Sequence, residues 1–199
     1  QQHKSDGYIS NDFLKRDDTD NIDELSLRAV FDWQLHEELD LTLTLFHVDA
    51  DNGYDAFSLD NTRWTLSDQP GQDRHKANAF ALESRWKGAA SFDLISLVSA
   101  ADNDLEYGYD EDWAYADICT GQPCEGWEYS SVDNYIRQRQ NVSADIKMVS
   151  VPEARIFNAS SDWVLGIYWR DQDEELLRHY TYAAGDFASD FTTTNKALY

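Results

Sequence analysis

Acidic oxygens and aromatic rings are the two chemistries that residue spacing brings forward in this sequence. In Asp49-Ala50-Asp51-Asn52-Gly53-Tyr54-Asp55, the carboxylates of Asp49, Asp51 and Asp55 lie close along the chain. Closely spaced acidic oxygens can surround a hard cation such as calcium. The EF-hand spacing is not met, because Gly53 stands at the fifth position and no Glu closes the loop. A solvated turn is the competing reading, here and for Asp102-Asn103-Asp104 and Asp110-Glu111-Asp112. The aromatics Trp64, Tyr107, Tyr109, Trp113, Tyr115, Trp127 and Tyr129 fall in segments rich in acids. Such rings could stack on a sugar or an aromatic chelate, or they could pack loops against one another.

Other chemistries are weakly represented. The five histidines are scattered without an i, i+4 pair, which argues against a metal centre. Nucleophile-elbow, phosphate-loop and zinc-protease motifs are missing from the sequence. Carboxylate pairs are inevitable with 38 acidic residues, so glycosidase chemistry cannot be singled out, and no catalytic residues and no cofactor are assigned. Cys119 and Cys124 flank a Gly and a Pro, which favour a tight loop that a disulfide could close in an oxidising compartment. Two unrelated thiols are the alternative.

The formal charge of −22 repels phosphate backbones, so nucleic acid is not an expected partner. It equally excludes a basic helical membrane anchor. Aromatics at 14% exclude a disordered polymer. No apolar run approaches the roughly 20 residues of a membrane helix, and no signal peptide is seen. The chain starts in polar sequence and stops inside an apparent strand, which reads as an excerpt of something longer.

The elements that must position these residues have a period of two. Over 24–35, Leu25, Leu27, Ala29, Phe31, Trp33 and Leu35 share a face against Ser26, Arg28, Asp32 and Gln34. After a turn at 36–38, Leu39, Leu41, Leu43 and Leu45 alternate with Asp40, Thr42 and Thr44, completing a hairpin. A second hairpin is expected over 76–86 and 91–101, and a third over 138–150 and 162–172. A last strand covers 191–199. The connections then read short and long in turn, with the long ones at 49–75, 102–135 and 173–189.

This pattern predicts an all-β, antiparallel up-and-down meander of about seven strands. Outer-membrane barrels are built so, with tight turns on one rim and binding loops on the other. Strands of about 10 tilted residues span the hydrocarbon layer. Trp33 and Trp86 stand beside short turns, where an aromatic girdle belongs. A soluble β-sandwich also alternates, but mid-strand charges at Arg28, Asp32, Glu83, Arg85, Asp145, Lys147 and Arg170 favour a wet lumen.

Four segments resemble the barrel region of TonB-dependent outer-membrane receptors: 11–28, 49–61, 104–113 and 161–168. The first includes Arg16-Asp17-Asp18-Thr19-Asp20-Asn21-Ile22-Asp23, and the last Ser161-Asp162-Trp163-Val164-Leu165-Gly166. The resemblance implies that residues 1–199 are a segment of a 22-stranded barrel in the cell outer membrane. It implies a receptor rather than an enzyme, one that binds and imports a siderophore, cobalamin or an oligosaccharide. TonB would act through a plug domain that this sequence lacks. The alternative, from another class, is a secreted acidic β-sandwich binding carbohydrate or calcium.

About seven strands leave two sheet edges unpaired, and an unsatisfied backbone group in lipid costs several kcal/mol. These 199 residues produced alone are therefore expected to self-associate or to adopt a non-native arrangement. Light scattering checks this: a clean monomer without detergent would overturn it.

Overall fold

The computed structural model describes residues 1–121, 129–182 and 185–199. Among them are ten strands: β1 (Gln2–Ser5), β2 (Ser10–Asn11), β3 (Ile22–His36), β4 (Leu39–Tyr54), β5 (Trp64–Thr65), β6 (Gly71–Trp86), β7 (Phe92–Asp110), β8 (Val132–Ser150), β9 (Val164–Tyr180) and β10 (Phe187–Leu198). A single 3₁₀ turn at Pro152–Ala154 lies between β8 and β9. Eight strands form one antiparallel sheet in the order β1-β3-β4-β6-β7-β8-β9-β10, and β2 pairs with β5 in parallel. The seven expected strands are all present, and β1 adds an eighth to the sheet.

Register turns the period-two pattern into two faces. Strand neighbours on one rung share a face. One rung runs Asp32, Thr42, Glu83, Leu97, Asp145, Tyr168, and another runs Val30, Thr44, Ala81, Ser99, Ser143, Arg170. All seven mid-strand charges named above therefore lie on a single face, the wet face. Its polar groups pair across strands, as in Thr42–Asp32 at 2.6 Å and Ser99–Ser143 at 2.8 Å.

The opposite face is apolar, and its limit is drawn in register. The rung Ala29, Leu45, Phe80, Ala100, Val142 is apolar over β3 to β8. The next rung away from the short turns is His47, Asn78, Asp102, Gln140, Asp173. Beyond it the same face carries Asp49, Asp51, Lys76, Asp104 and Glu175. From Phe92 to Ala100 is eight residue steps, about 27 Å along the strand.

No second layer covers this sheet among the described residues. The buried apolar residues are Ile9, Ala77, Ala114 and Cys119, while Leu27, Phe31, Trp33, Leu45, Phe80, Val98, Ile146 and Ile167 are exposed. The sealed two-sheet core of a sandwich is not the arrangement found. The sheet is also open, with β1 and β10 at its edges.

Strand ends depart from the sequence reading. β4, β6, β7, β8 and β9 each run well beyond the apolar limit, so several expected loop residues are strand residues. The alternation of short and long connections fails at one end: 151–163 joins β8 to β9, while only 181–186 joins β9 to β10. Polar strand segments rich in Asp, Glu and Arg carry no hydrophobic period, but backbone ladders with both neighbours hold them extended.

Close backbone approach fixes two glycines where the sheet meets the long-connection rim. A Cβ on Gly71 would lie 1.9 Å from the carbonyl oxygen of Gly108, and one on Gly53 would lie 2.4 Å from that of Thr19. Gly71→Ala must therefore push β6 from β7. We expect a loss of about 1–3 kcal/mol, the usual cost of overpacking, read as a lower urea midpoint in detergent. An unchanged midpoint would contradict the close approach.

Candidate functional site

The long extensions of β6 to β9 carry the site. On the wet face, one rung holds Asp73, Tyr107, Tyr135 and Arg178, and the next outward holds Tyr109, Asp133 and Tyr180. These rungs lie about 17 and 24 Å along the strand beyond Asp102, where the apolar face has already ended.

The rings make a continuous wall. Tyr107 contacts Tyr54 at 5.1 Å, Tyr109 at 5.9 Å and Tyr135 at 6.5 Å between ring centroids. Phe57 stacks on Trp113 at 5.2 Å and meets Tyr109 edge-on at 6.2 Å. An open cleft of about 820 Å³ lies against this wall, with Asp73, Arg74, Glu106, Glu111 and Arg137 on its polar side.

Asp133 anchors the wall. Its side chain is 2% exposed and receives both Arg178 nitrogens, at 2.8 and 2.7 Å. The Tyr135 and Tyr109 hydroxyls donate to the same carboxylate at 3.0 and 3.3 Å. The Arg178 hydrogen bonds, aided by the tyrosines, hold the Asp133 carboxyl below the usual carboxylate range despite burial. The Arg178 guanidinium also lies over the rings of Tyr180 at 4.8 Å and Tyr135 at 5.2 Å, a cation–π arrangement. Burial raises the Tyr107 phenol well above its ordinary value, with Tyr54 next, so Tyr107 stays a neutral ring with a hydroxyl to offer.

A second polar knot ties the N-terminal segment to this rim. Asn11, 1% exposed, donates to Asp55 at 2.8 Å and to the Ser67 carbonyl at 2.9 Å. Thr65 donates to the same Asp55 oxygen at 2.8 Å. Thus β2, the end of β4 and β5 close over one another through buried polar groups rather than apolar ones.

The expected site residues divide. Tyr107, Tyr109 and Trp113 come together at the cleft, the two tyrosines on β7 rather than in a loop. Trp64 is on β5 and 56% exposed, away from the cleft lining. Tyr115 stacks on Phe13 at 4.5 Å, packing segment against segment, and Tyr129 contacts Tyr182 at 4.8 Å. Trp127 and Cys124 lie outside the described residues, and with Cys124 the expected disulfide; Cys119 is buried.

The acidic candidates are held in different ways. Asp49 is a strand residue on the outer part of the apolar-side face. Asp51 is 2.6 Å from Arg74 in an ion pair, and Asp55 is taken by Asn11 and Thr65. Among the described residues no three His, Cys, Asp or Glu side chains are grouped to hold a metal ion.

Sequence reasoning missed Tyr54, Phe57, Tyr135, Arg137 and the Asp133–Arg178 pair. Alternation at Asp133, Tyr135 and Arg137 was a usable signal, but that stretch reads as loop until its neighbours are known. Compared with family models, curated proteins and solved structures, the chain finds no match.

The wall offers flat faces, hydroxyls and fixed carboxylates, which suits binding of a polyhydroxylated or aromatic molecule. Arg178→Met leaves the Asp133 charge buried without its partner. Stability tied to a lowered carboxyl is present above the unfolded value near 4 and is lost as pH falls through the folded value. The variant should therefore unfold at a lower temperature at pH 7, and its deficit against the parent chain should shrink as pH falls and Asp133 takes up a proton. Arg178→Met with a deficit by circular dichroism that stays the same as pH falls would contradict the anchor.

Proposed function

We propose that this chain is an arc of an outer-membrane β-barrel, and within it part of a TonB-dependent receptor that takes up a scarce small molecule. The observation that carries the reading is the apolar face that stops in register across β4 to β8 while the other face stays wet. A membrane wall needs both properties in one layer of strands. At a tilt of roughly 40°, the 27 Å from Phe92 to Ala100 gives about 20 Å of height, comparable to the roughly 25 Å apolar band of such barrels.

Trp33 and Trp86 stand exposed near the short-turn edge of the band, at the level of the inner girdle. The long connections and the cleft then face outside, where a siderophore, cobalamin or an oligosaccharide would arrive. The receptor class comes from the resemblance in four segments, and TonB would act through a plug elsewhere in the protein. The open edges of β1 and β10 suit continuation into further strands.

Quenching by brominated lipid tests the wall. With single-tryptophan variants in vesicles, Trp33 and Trp169 should be strongly quenched and Trp113 spared. In the same preparation, Ile146→Arg on the apolar face should cost about 2–4 kcal/mol, while Ser143→Arg on the wet face costs little. Equal quenching at Trp33 and Trp113 would remove the proposal.

A further inference from the structure

Asp110 and Asp112 stand at the outer end of β7, each 5% exposed. Asp110 Oδ1 accepts the backbone N–H groups of Asp112 and Trp113, both at 3.2 Å. Asp112 Oδ1 accepts the Ser131 N–H at 2.9 Å. Among the described residues, no hydrogen bond of good geometry reaches the other Asp110 oxygen, Oδ2, which is buried, or Ser67 Oγ, on a residue 1% exposed. Asp110, Ser67 and Asp55 line one narrow crevice next to Trp113 and Phe57. A carboxylate can only accept, whereas a carboxylic acid also donates. One proton on Oδ2 would let that oxygen donate to Ser67 Oγ or to Asp112, whereas the anion can only accept from the Ser67 hydroxyl.

Trp113 has φ of +59°, a left-handed conformation that non-glycine residues rarely adopt. Its amide donates to Asp110, and its ring completes the stack with Phe57. We propose that Asp110 is the positioning residue for Trp113 and makes the cleft wall proton-dependent: the acid form holds the wall in place, and the anionic form loosens it. This rests on the cleft being the ligand site, and it names a regulation of that site.

The surroundings agree. Asp68 from the segment after β5, Asp55 from the end of β4, Glu111 and Asp112 from the same segment, and Tyr129 from the approach to β8 all face this knot. Tyr180 of β9 is bonded to Glu111 at 2.8 Å, and Arg178 of β9 is taken by Asp133. Burial raises the Asp110 carboxyl to about 7; the Ser67 hydroxyl opposes that shift and the Asp112 carboxyl adds to it. A raised carboxyl contributes stability that is full below the unfolded value near 4 and is lost as pH rises to about 7.

The test needs no ligand. Tryptophan emission of the full chain in detergent micelles is followed from pH 5 to 9, and Trp113→Phe is subtracted to isolate Trp113. The difference should titrate with a midpoint near 7. Asp110→Asn should hold the acid-form emission at every pH. Asp112→Asn should move the midpoint down and Ser67→Ala should move it up, each by about a unit. A flat difference signal, or Asp110→Asn titrating like the parent chain, would overturn the proposal. Should Asp110→Asn not fold, an unmoved midpoint in both Asp112→Asn and Ser67→Ala would overturn it equally. A titrating Trp113 in a chain that brominated lipid does not quench at Trp33 would mark failure of the receptor reading instead.

Discussion

Everything in this protein depends on the backbone ladder of one unlayered sheet. A strand can satisfy its N–H and C=O groups only through its neighbours. Here that requirement is met along strands of up to 19 residues, and among the described residues no second layer covers a face of the large sheet. The ladder therefore supplies the order that a hydrophobic core supplies elsewhere. It also leaves β1 and β10 with open edges, whose unpaired groups demand either water or a further strand. In lipid that demand is absolute, because water is not there to take the orphan groups.

With the ladder as frame, side chains are free to invert the usual distribution. Apolar residues stand exposed over the band, while the most buried side chains are Asn11, Thr65, Asp133, Ser67 and Ser131. Buried polar groups are costly unless hydrogen-bonded, and when bonded they specify geometry sharply. That is why the outer rim is knit by carboxylates with several donors each, such as Asp55 and Asp133. The knot at Asp110, where donors run short, stands out against this rule.

The band was legible in the sequence because one apolar and one polar face impose a strict period of two. Leu39, Leu41, Leu43 and Leu45 give the face, and Arg28, Asp32 and Lys147 give its opposite, with no knowledge of neighbours. Beyond Asp102 both faces are wet, so the period vanishes although the strands do not. Tyr107 and Tyr109 were thus legible as aromatic candidates but not as strand residues. Tyr135 and Arg178 join them only through register, which single-chain patterning does not carry.

Strand rather than loop placement changes what the cleft can do. A site on paired strands keeps its groups within tighter limits than one on free loops. Tyr107, Tyr135 and Arg178 are held on one rung by backbone hydrogen bonds, so their spacing does not wait on a ligand. Phe57 and Trp113 alone among the stacked rings of the wall reach it from connections. The cleft thus joins a floor fixed by strand register to a pair of rings fixed only by their own connections. The left-handed backbone at Trp113 and the under-satisfied carboxyl beside it both fall on the side without a ladder.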